Sequence, residues 1–137
     1  MFDRSDEEWE AIVDDTISIL RDQARLRRVT SYSDVNSALA RRGHRPFDFS
    51  AQSDRTAMGA VLGDVVRRTI GDTGAMLSAI VAYIDRNDAG PGFYAFAVQQ
   101  GLLPNTATAD DKLVFWSGQV AKVHDLYAKP RRRRSRD

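Results

Sequence analysis

Apolar side chains recur at three- and four-residue steps in the first part of the chain, which is the period of an amphipathic α-helix. Ser5 stands three residues before Glu8, and this capping-box spacing predicts that the helix begins there. Acidic residues crowd its first turns and arginines its last, an arrangement that the helix dipole favours. The predicted helix runs to about Arg27, and its buried stripe consists of Trp9, Ile12, Val13, Ile17, Leu20 and Ala24.

The same periodicity predicts two more long helices. One starts near Ser53 and ends at Gly71 or Gly74, with a buried stripe made of Met58, Val61, Leu62, Val65 and Thr69. The last helix begins at Thr108 and is stopped by Pro130. Its stripe consists of Leu113, Trp116, Val120, Val123 and Tyr127.

A shorter helix fits between the first two. Residues 29–31 are β-prone, Ser31 is placed to cap a second helix, and Gly43 stands where a glycine ends one. Residues 44–50 then predict a loop whose aromatic side chains hold it to the core. The buried face of this second helix is expected to hold Val35, Ala38 and Leu39.

The pattern changes from residue 76 onwards. Residues 76–84 form an almost continuous apolar run of strand length, which predicts a covered β-strand. Residues 85–92 are rich in turn formers. Residues 93–98 suit either a returning strand or a short helix, of which we favour the helix, and residues 102–107 predict a loop.

The predicted elements follow the order of a winged helix, in which two helices form a helix-turn-helix and a β-hairpin supplies the wing. We therefore predict a mainly α fold with a small β-sheet (α+β), built as a winged-helix-like core with flanking N- and C-terminal helices. Residues 1–128 are expected to form one helix-rich globular domain, because the chain has a common single-domain size. Residues 129–137 are too highly charged to pack and predict a disordered basic tail.

The composition is that of a globular protein, with 42% hydrophobic and 28% charged residues. No apolar run approaches the roughly 18 residues typical of a membrane span, and the N-terminus is acidic where a secretory signal is basic. We therefore expect a cytoplasmic protein without a membrane partner. The absence of cysteine excludes disulfides, thiolate metal sites and thiol nucleophiles.

Catalytic chemistry has few residues to build on. His44 in a loop and His124 on the last helix lack the spacing of a zinc site. Residues 90–92, Gly-Pro-Gly, lack the lysine of a phosphate-binding loop and are better explained as a structural turn. We predict no enzyme, no catalytic residue, no metal and no cofactor. Aspartates that suit turns and helix starts better than a metal site are Asp85, Asp88, Asp110 and Asp111.

The net charge of +1 hides a strong segregation of charge along the chain. Residues 1–20 carry seven acids and one arginine, residues 21–46 seven arginines and two aspartates, and residues 129–137 six basic residues and one acid. Clustered arginines neutralise phosphates without reading sequence, so we predict a DNA-binding accessory or regulatory protein. Ser33 and Asn36 are expected near the groove. The predicted phosphate contacts are Arg41, Arg42, Arg45, Arg67 and Arg68, and in the tail Arg131, Arg132, Arg133 and Arg134.

One stretch carries a family resemblance. Arg25, Arg27 and Arg28, followed by Val-Thr-Ser-Tyr-Ser-Asp-Val, resemble the opening of the winged-helix domain of the DNA alkyltransferase and alkyltransferase-like family. Residues 58–62, Met-Gly-Ala-Val-Leu, are similar to the helix that precedes that family's active site. The resemblance covers about residues 25–65 and implies a mode of docking on DNA. The family's reactive cysteine has no counterpart here, which excludes alkyl transfer.

The alternative is a protein-interaction module, such as an adaptor, inhibitor or immunity-type protein with no nucleic-acid ligand. The acidic first helix cannot face DNA and suits a basic protein partner. The stripe on the last helix suits a dimer seam as well as a core, so the sequence leaves the oligomeric state open.

Overall fold

The computed structural model describes residues 2–83, 88–89 and 91–128. Over these ranges the chain is mainly helical with a small sheet, which confirms the coarse prediction of the fold class. The α-helices are α1 (Asp6–Arg25), α2 (Tyr32–Arg41), α3 (Gln52–Thr73), α4 (Pro91–Gln99) and α5 (Ala109–Tyr127). The strands are β1 (Thr30–Ser31), β2 (Val81–Tyr83) and β3 (Asp88–Ala89), and a 3₁₀-helix spans Leu77–Ile80.

Capping hydrogen bonds confirm the predicted starts of the first and last helices. Ser5 Oγ accepts from the Glu8 amide at 3.1 Å, and the Glu8 carboxylate accepts from the Ser5 amide at 2.9 Å. Thr108 and Asp111 form the same reciprocal pair. Each pair satisfies two backbone donors that have no partner inside the helix. α3 ends at Gly74, the later of the two predicted glycines, in the left-handed conformation with φ 68°.

The second helix and the loop after it also form as predicted. The Asp34 amide donates to Ser31 Oγ at 3.1 Å, which caps α2 at its first turn. Val35 and Leu39 are buried against α1 and α3 in the core. Phe47 is buried too, and it anchors the following loop to the same core.

The sheet has three short strands in the order β1-β2-β3. β1 pairs with β2 in parallel, with Thr30 opposite Val81. β2 pairs with β3 in the antiparallel sense, with Ala82 opposite Ala89. The short β1 therefore ties the α1–α2 connection to the centre of the chain.

The prediction of a strand over residues 76–84 is wrong for its first half. Leu77–Ile80 form a 3₁₀-helix, and only Val81–Tyr83 are extended. Every residue from Met76 to Ala82 is buried. A segment that is covered on all sides is apolar whatever its backbone conformation, so its hydrophobic run does not distinguish a strand from a helical turn.

Two predictions after this segment are confirmed and others lie outside the described residues. Residues 93–98 are helical within α4, and residues 102–107 form a loop. Of the predicted turn over residues 85–92, residues 85–87 and 90 lie outside the described residues, residues 88–89 are β3, and residues 91–92 begin α4. The end of the predicted strand, Ile84, also lies outside the described residues. The disordered tail predicted for residues 129–137 also lies outside the described part of the chain.

The stripe on α5 is used inside the molecule. Trp116 and Val123 are buried. The buried side chains form two hydrophobic clusters, one that includes Leu20 and one that includes Phe96, and Val120 packs against both. Trp116 donates its indole N–H to the Ala79 carbonyl at 2.8 Å. Leu113 was predicted to be part of this stripe but is 43% exposed. Most of the stripe is therefore core and not a free dimer seam.

Candidate functional site

The predicted basic face on α2 and α3 is interleaved with the acidic face of α1. Arg42, at the end of α2, pairs with Asp15 of α1 at 3.2 Å. Arg68, near the end of α3, bridges two further acids of α1, with Glu10 at 2.6 Å and Asp14 at 2.8 Å. The charge of these two arginines is thus largely offset by carboxylates within the molecule.

The other predicted arginines differ in their surroundings. Arg67 pairs with Asp64 one turn earlier, and its guanidinium lies 5.1 Å from the centre of the Phe96 ring. Arg45 donates to the Asp3 backbone carbonyl at 2.7 Å. Arg41 is exposed and has no ion pair among the residues that the structure describes. Three of the five arginines, Arg42, Arg67 and Arg68, are therefore paired with carboxylates in the described residues.

The two polar residues predicted near a groove also differ from each other. Ser33 is exposed on the first turn of α2. Asn36 is partly buried; its amide nitrogen donates to the Phe47 carbonyl and its amide oxygen accepts from the Phe47 amide, both at 2.9 Å. These bonds make Asn36 the clamp that holds the loop after α2 to the helix.

His44, in the loop after α2, also contacts Asp15 of α1. Its Nε2 lies 2.6 Å from Asp15 Oδ2, and the same carboxylate forms the ion pair with Arg42. The hydrogen bond from His44, assisted by Arg42, holds the pKa of Asp15 below its ordinary value. His124 Nε2 lies 3.0 Å from the Arg28 backbone carbonyl oxygen. The described residues contain no group of three potential metal ligands.

A different group of arginines lies where the end of α1 meets the end of α5. We call Arg21, Arg25, Arg27 and Arg28, which lie in the last turns of α1 and directly after it, the basic end. Arg21 lies 5.7 Å from the centre of the Tyr127 ring on α5. Arg27 pairs with Asp125 at 3.1 Å. Residues 129–137, with six basic residues, continue the chain directly from this place.

The backbone at the basic end holds an arginine in a conformation that favours glycine. The amides of Arg27 and Arg28 donate to the carbonyls of Ala24 and Gln23, the pair of bonds that defines a Schellman motif. Arg27 occupies the left-handed position of this motif with φ 54°. A non-glycine residue costs about 1–2 kcal/mol there. The motif turns the chain from α1 towards β1 and leaves the Arg27 side chain more than half exposed.

These arginines are visible in the sequence, but its pattern explained those of α1 only as helix-end residues. Arginines in the last turn of α1 are explained by the helix dipole alone. The packing of α1 against α5 places them beside Asp125 and His124, about a hundred residues away in sequence.

Comparisons with protein-family models, curated proteins and solved structures give no significant match to the chain. Within residues 2–83, 88–89 and 91–128, no helix has both the length and the apolar character required to cross a membrane.

Proposed function

We propose that the protein binds duplex DNA without catalysing a reaction on it, and that the basic end is the part of the domain that meets the phosphates. The observation that carries this proposal is that the arginine-rich last turn of α1 and the residues after it contact the end of α5, from which the arginine-rich tail continues in sequence. Among the described residues, Asp22 and Asp125 are the acids that form ion pairs with these arginines. Such a cluster supplies the salt-dependent, sequence-independent part of DNA affinity.

The rival surface for the same function is the face of α2 and α3 predicted from the sequence. The chain order α1, β1, α2, α3, β2, β3 supports a winged-helix-like core, which we keep as part of the proposal. Charge favours the basic end over this face, because Arg42 and Arg68 already pair with acids of α1. A phosphate at those positions would compete with carboxylates and would lie beside the acidic helix.

Two triple variants with equal loss of charge separate these surfaces. One combines Arg25→Gln, Arg27→Gln and Arg28→Gln at the basic end, and the matched control replaces three arginines of the sequence-predicted face with glutamine. Binding to a fluorescent DNA duplex is measured by anisotropy from about 50 to about 300 mM salt. Circular dichroism confirms that both variants fold. The control substitutions are Arg41→Gln, Arg42→Gln and Arg45→Gln.

We expect the triple variant at the basic end to weaken binding at least tenfold and to lower the salt slope by about 2–3, since each phosphate contact contributes about 0.9. The control triple should change both quantities much less. If the control triple weakens binding and the variant at the basic end does not, the DNA interface lies on α2 and α3. A full chain that fails to bind duplex DNA at the lowest salt would overturn the proposal and would favour a protein partner on the acidic face of α1.

Removing residues 129–137 provides a separate check on the folded domain. The truncated chain should keep salt-dependent binding with a smaller slope, because the arginines of the basic end remain. Complete loss of binding would assign the activity to the tail alone and would remove the folded domain from the interface.

A further inference from the structure

A cleft of about 410 Å³ lies on the opposite side of α3 from α1, between α3, the 3₁₀-helix and the start of α4. Its volume is within the usual range for small-molecule sites. The apolar part of its wall comes from Leu62, Phe93 and Phe96, while Arg55 and Ser78 supply polar groups. None of these residues belongs to the proposed DNA surface.

Ser78 supplies a polar group to the cleft wall. This residue is only 6% exposed, and its hydroxyl makes no hydrogen bond to any residue in the described part of the chain. The hydroxyl oxygen is nevertheless accessible from the cleft and is not an enclosed atom without a partner. It is therefore available to bond a polar atom of a ligand there.

Arg55 is the one charged residue among the described residues that line the cleft. Its guanidinium donates to the Phe49 carbonyl at 2.6 Å and to Gln52 Oε1 at 2.9 Å. These two bonds hold the guanidinium in place and leave its other N–H donors without a partner in the described residues. A planar guanidinium with free donors is suited to a carboxylate.

Two glycines of α3 form part of the cleft wall. Gly59 and Gly63 are four residues apart, on one face of the helix. A Cβ atom at Gly59 would meet no protein atom within 4 Å, and one at Gly63 would make ordinary van der Waals contact with the Phe96 ring and with the Arg67 guanidinium. Packing within the protein therefore requires neither glycine, although glycine weakens a helix interior. Gly59 in particular leaves open space above the helix.

The geometry points to a binding site for a small monocarboxylic acid with a flat aromatic body. Arg55 would hold the carboxylate, Ser78 would bond a polar atom of the ligand, and Phe93, Phe96 and Leu62 would cover the body. Arg55 is the charged residue of the lining. The nearby Arg67 guanidinium, 5.1 Å from the centre of the Phe96 ring, already pairs with Asp64. The site therefore matches one negative charge better than the two of a phosphate monoester. The proposal concerns a site separate from the basic end.

The test uses the full chain labelled with ¹⁵N and titrated with 2-naphthoate, followed by two-dimensional NMR. We expect saturable shifts of the amides of Thr56, Gly59 and Gly63, with a dissociation constant on the order of 1 mM or tighter. The neutral isostere 2-naphthamide should bind at least tenfold more weakly. Phenyl phosphate, which is dianionic, should also bind more weakly than naphthoate.

Matched variants locate the site. Arg55→Gln should weaken naphthoate binding about tenfold or more, since it removes a charge-assisted hydrogen bond from an exposed residue without disturbing the core. Gly59→Leu should fill the cleft and abolish binding. The control Gly118→Leu places the same side chain in open space on α5 and should leave binding unchanged.

Several results would overturn the assignment. These are the absence of saturable shifts with naphthoate, equal binding of the amide, stronger binding of phenyl phosphate, and full affinity in the Arg55→Gln or Gly59→Leu variant. Shifts confined to residues 21–28 would likewise refute it, because the acid would then be held by the basic end. DNA binding is measured in a separate assay. A negative result for naphthoate therefore does not affect the proposed DNA binding, and a negative result for DNA does not affect the proposed carboxylate site.

Discussion

Replacement of Arg27 with glycine separates backbone strain from charge at the basic end. Arg27 holds the left-handed position of the Schellman motif with φ 54°, where glycine has no Cβ penalty. Its only ion pair in the described residues is with Asp125, and the two side chains are 56% and 72% exposed. The matched control is Arg28→Gly, which removes the same charge at the following residue, where φ is not positive.

The expected magnitude comes from three contributions. Relief of the left-handed conformation gains about 1–2 kcal/mol, while the extra freedom of glycine in the unfolded chain costs about 0.5–1 kcal/mol. The exposed ion pair with Asp125 is worth about 0–1 kcal/mol. Together these ranges place Arg27→Gly between about 1 kcal/mol less stable and about 1.5 kcal/mol more stable than the unmodified chain, whereas Arg28→Gly should be destabilised by about 0.5–1 kcal/mol. Because the freedom of glycine affects both variants alike, Arg27→Gly should be the more stable of the two by about 1 kcal/mol at the middle of the ranges, or roughly 3–6 °C in Tm.

Urea denaturation and thermal melts followed by circular dichroism measure this difference, and anisotropy with duplex DNA measures binding. Both variants should bind DNA more weakly, because each lacks one phosphate contact. A more stable but weaker-binding Arg27→Gly chain would mean that the arginine is kept for its charge at a cost in stability. If Arg27→Gly is as unstable as Arg28→Gly, the contact of the Arg27 guanidinium with Asp125 contributes more to stability than the relief of backbone strain. That result would refute the prediction.

Three further predictions concern the core and its polar contacts. The carboxylate of Asp15 has a depressed pKa in the folded chain, so the stability it contributes is present above the ordinary value of 3.8 and is lost as the pH falls through the lower folded pKa. The Tm of the Asp15→Asn variant should therefore lie below that of the unmodified chain at neutral pH, and the two Tm values should converge in acid. A difference in Tm that does not change with pH would contradict this prediction. Asn36→Ala should cost about 1–3 kcal/mol because it leaves the Phe47 backbone groups without partners, whereas exposed Ser33→Ala should change the free energy of unfolding by less than about 0.5 kcal/mol in the same urea series. Trp116→Phe should lose about 1–3 kcal/mol by removing the donor to the buried Ala79 carbonyl, and an unchanged urea midpoint would show that this bond is dispensable.

The parts of the fold that follow from short-range interactions were predictable. The capping boxes at Ser5 and Thr108 and the burial of Val35 and Leu39 depend on residues three or four positions apart. Such neighbours interact within one helical turn, so the linear pattern already contains the contact. The helix over residues 93–98 was a closer decision, and the structure confirms it.

The candidate sites depend on contacts between distant segments. Arg42 and Arg68 suggested a basic face in the sequence, but the packing of α1 between them offsets their charges with acids. The basic end requires α5 to lie beside the last turn of α1, and the cleft requires α4 and the 3₁₀-helix to cover one face of α3. No local pattern specifies these approaches.

The order of residues was enough to predict where most helices begin, which of their faces are buried, and how charge is segregated along the chain. The 3₁₀-helix at residues 77–80, the parallel pairing of β1 with β2 and the grouping of arginines at the basic end became evident only from the folded chain. The difference is one of range, because helix caps and amphipathic stripes depend on residues within a turn or two, whereas the charge of a surface depends on which distant segments pack side by side.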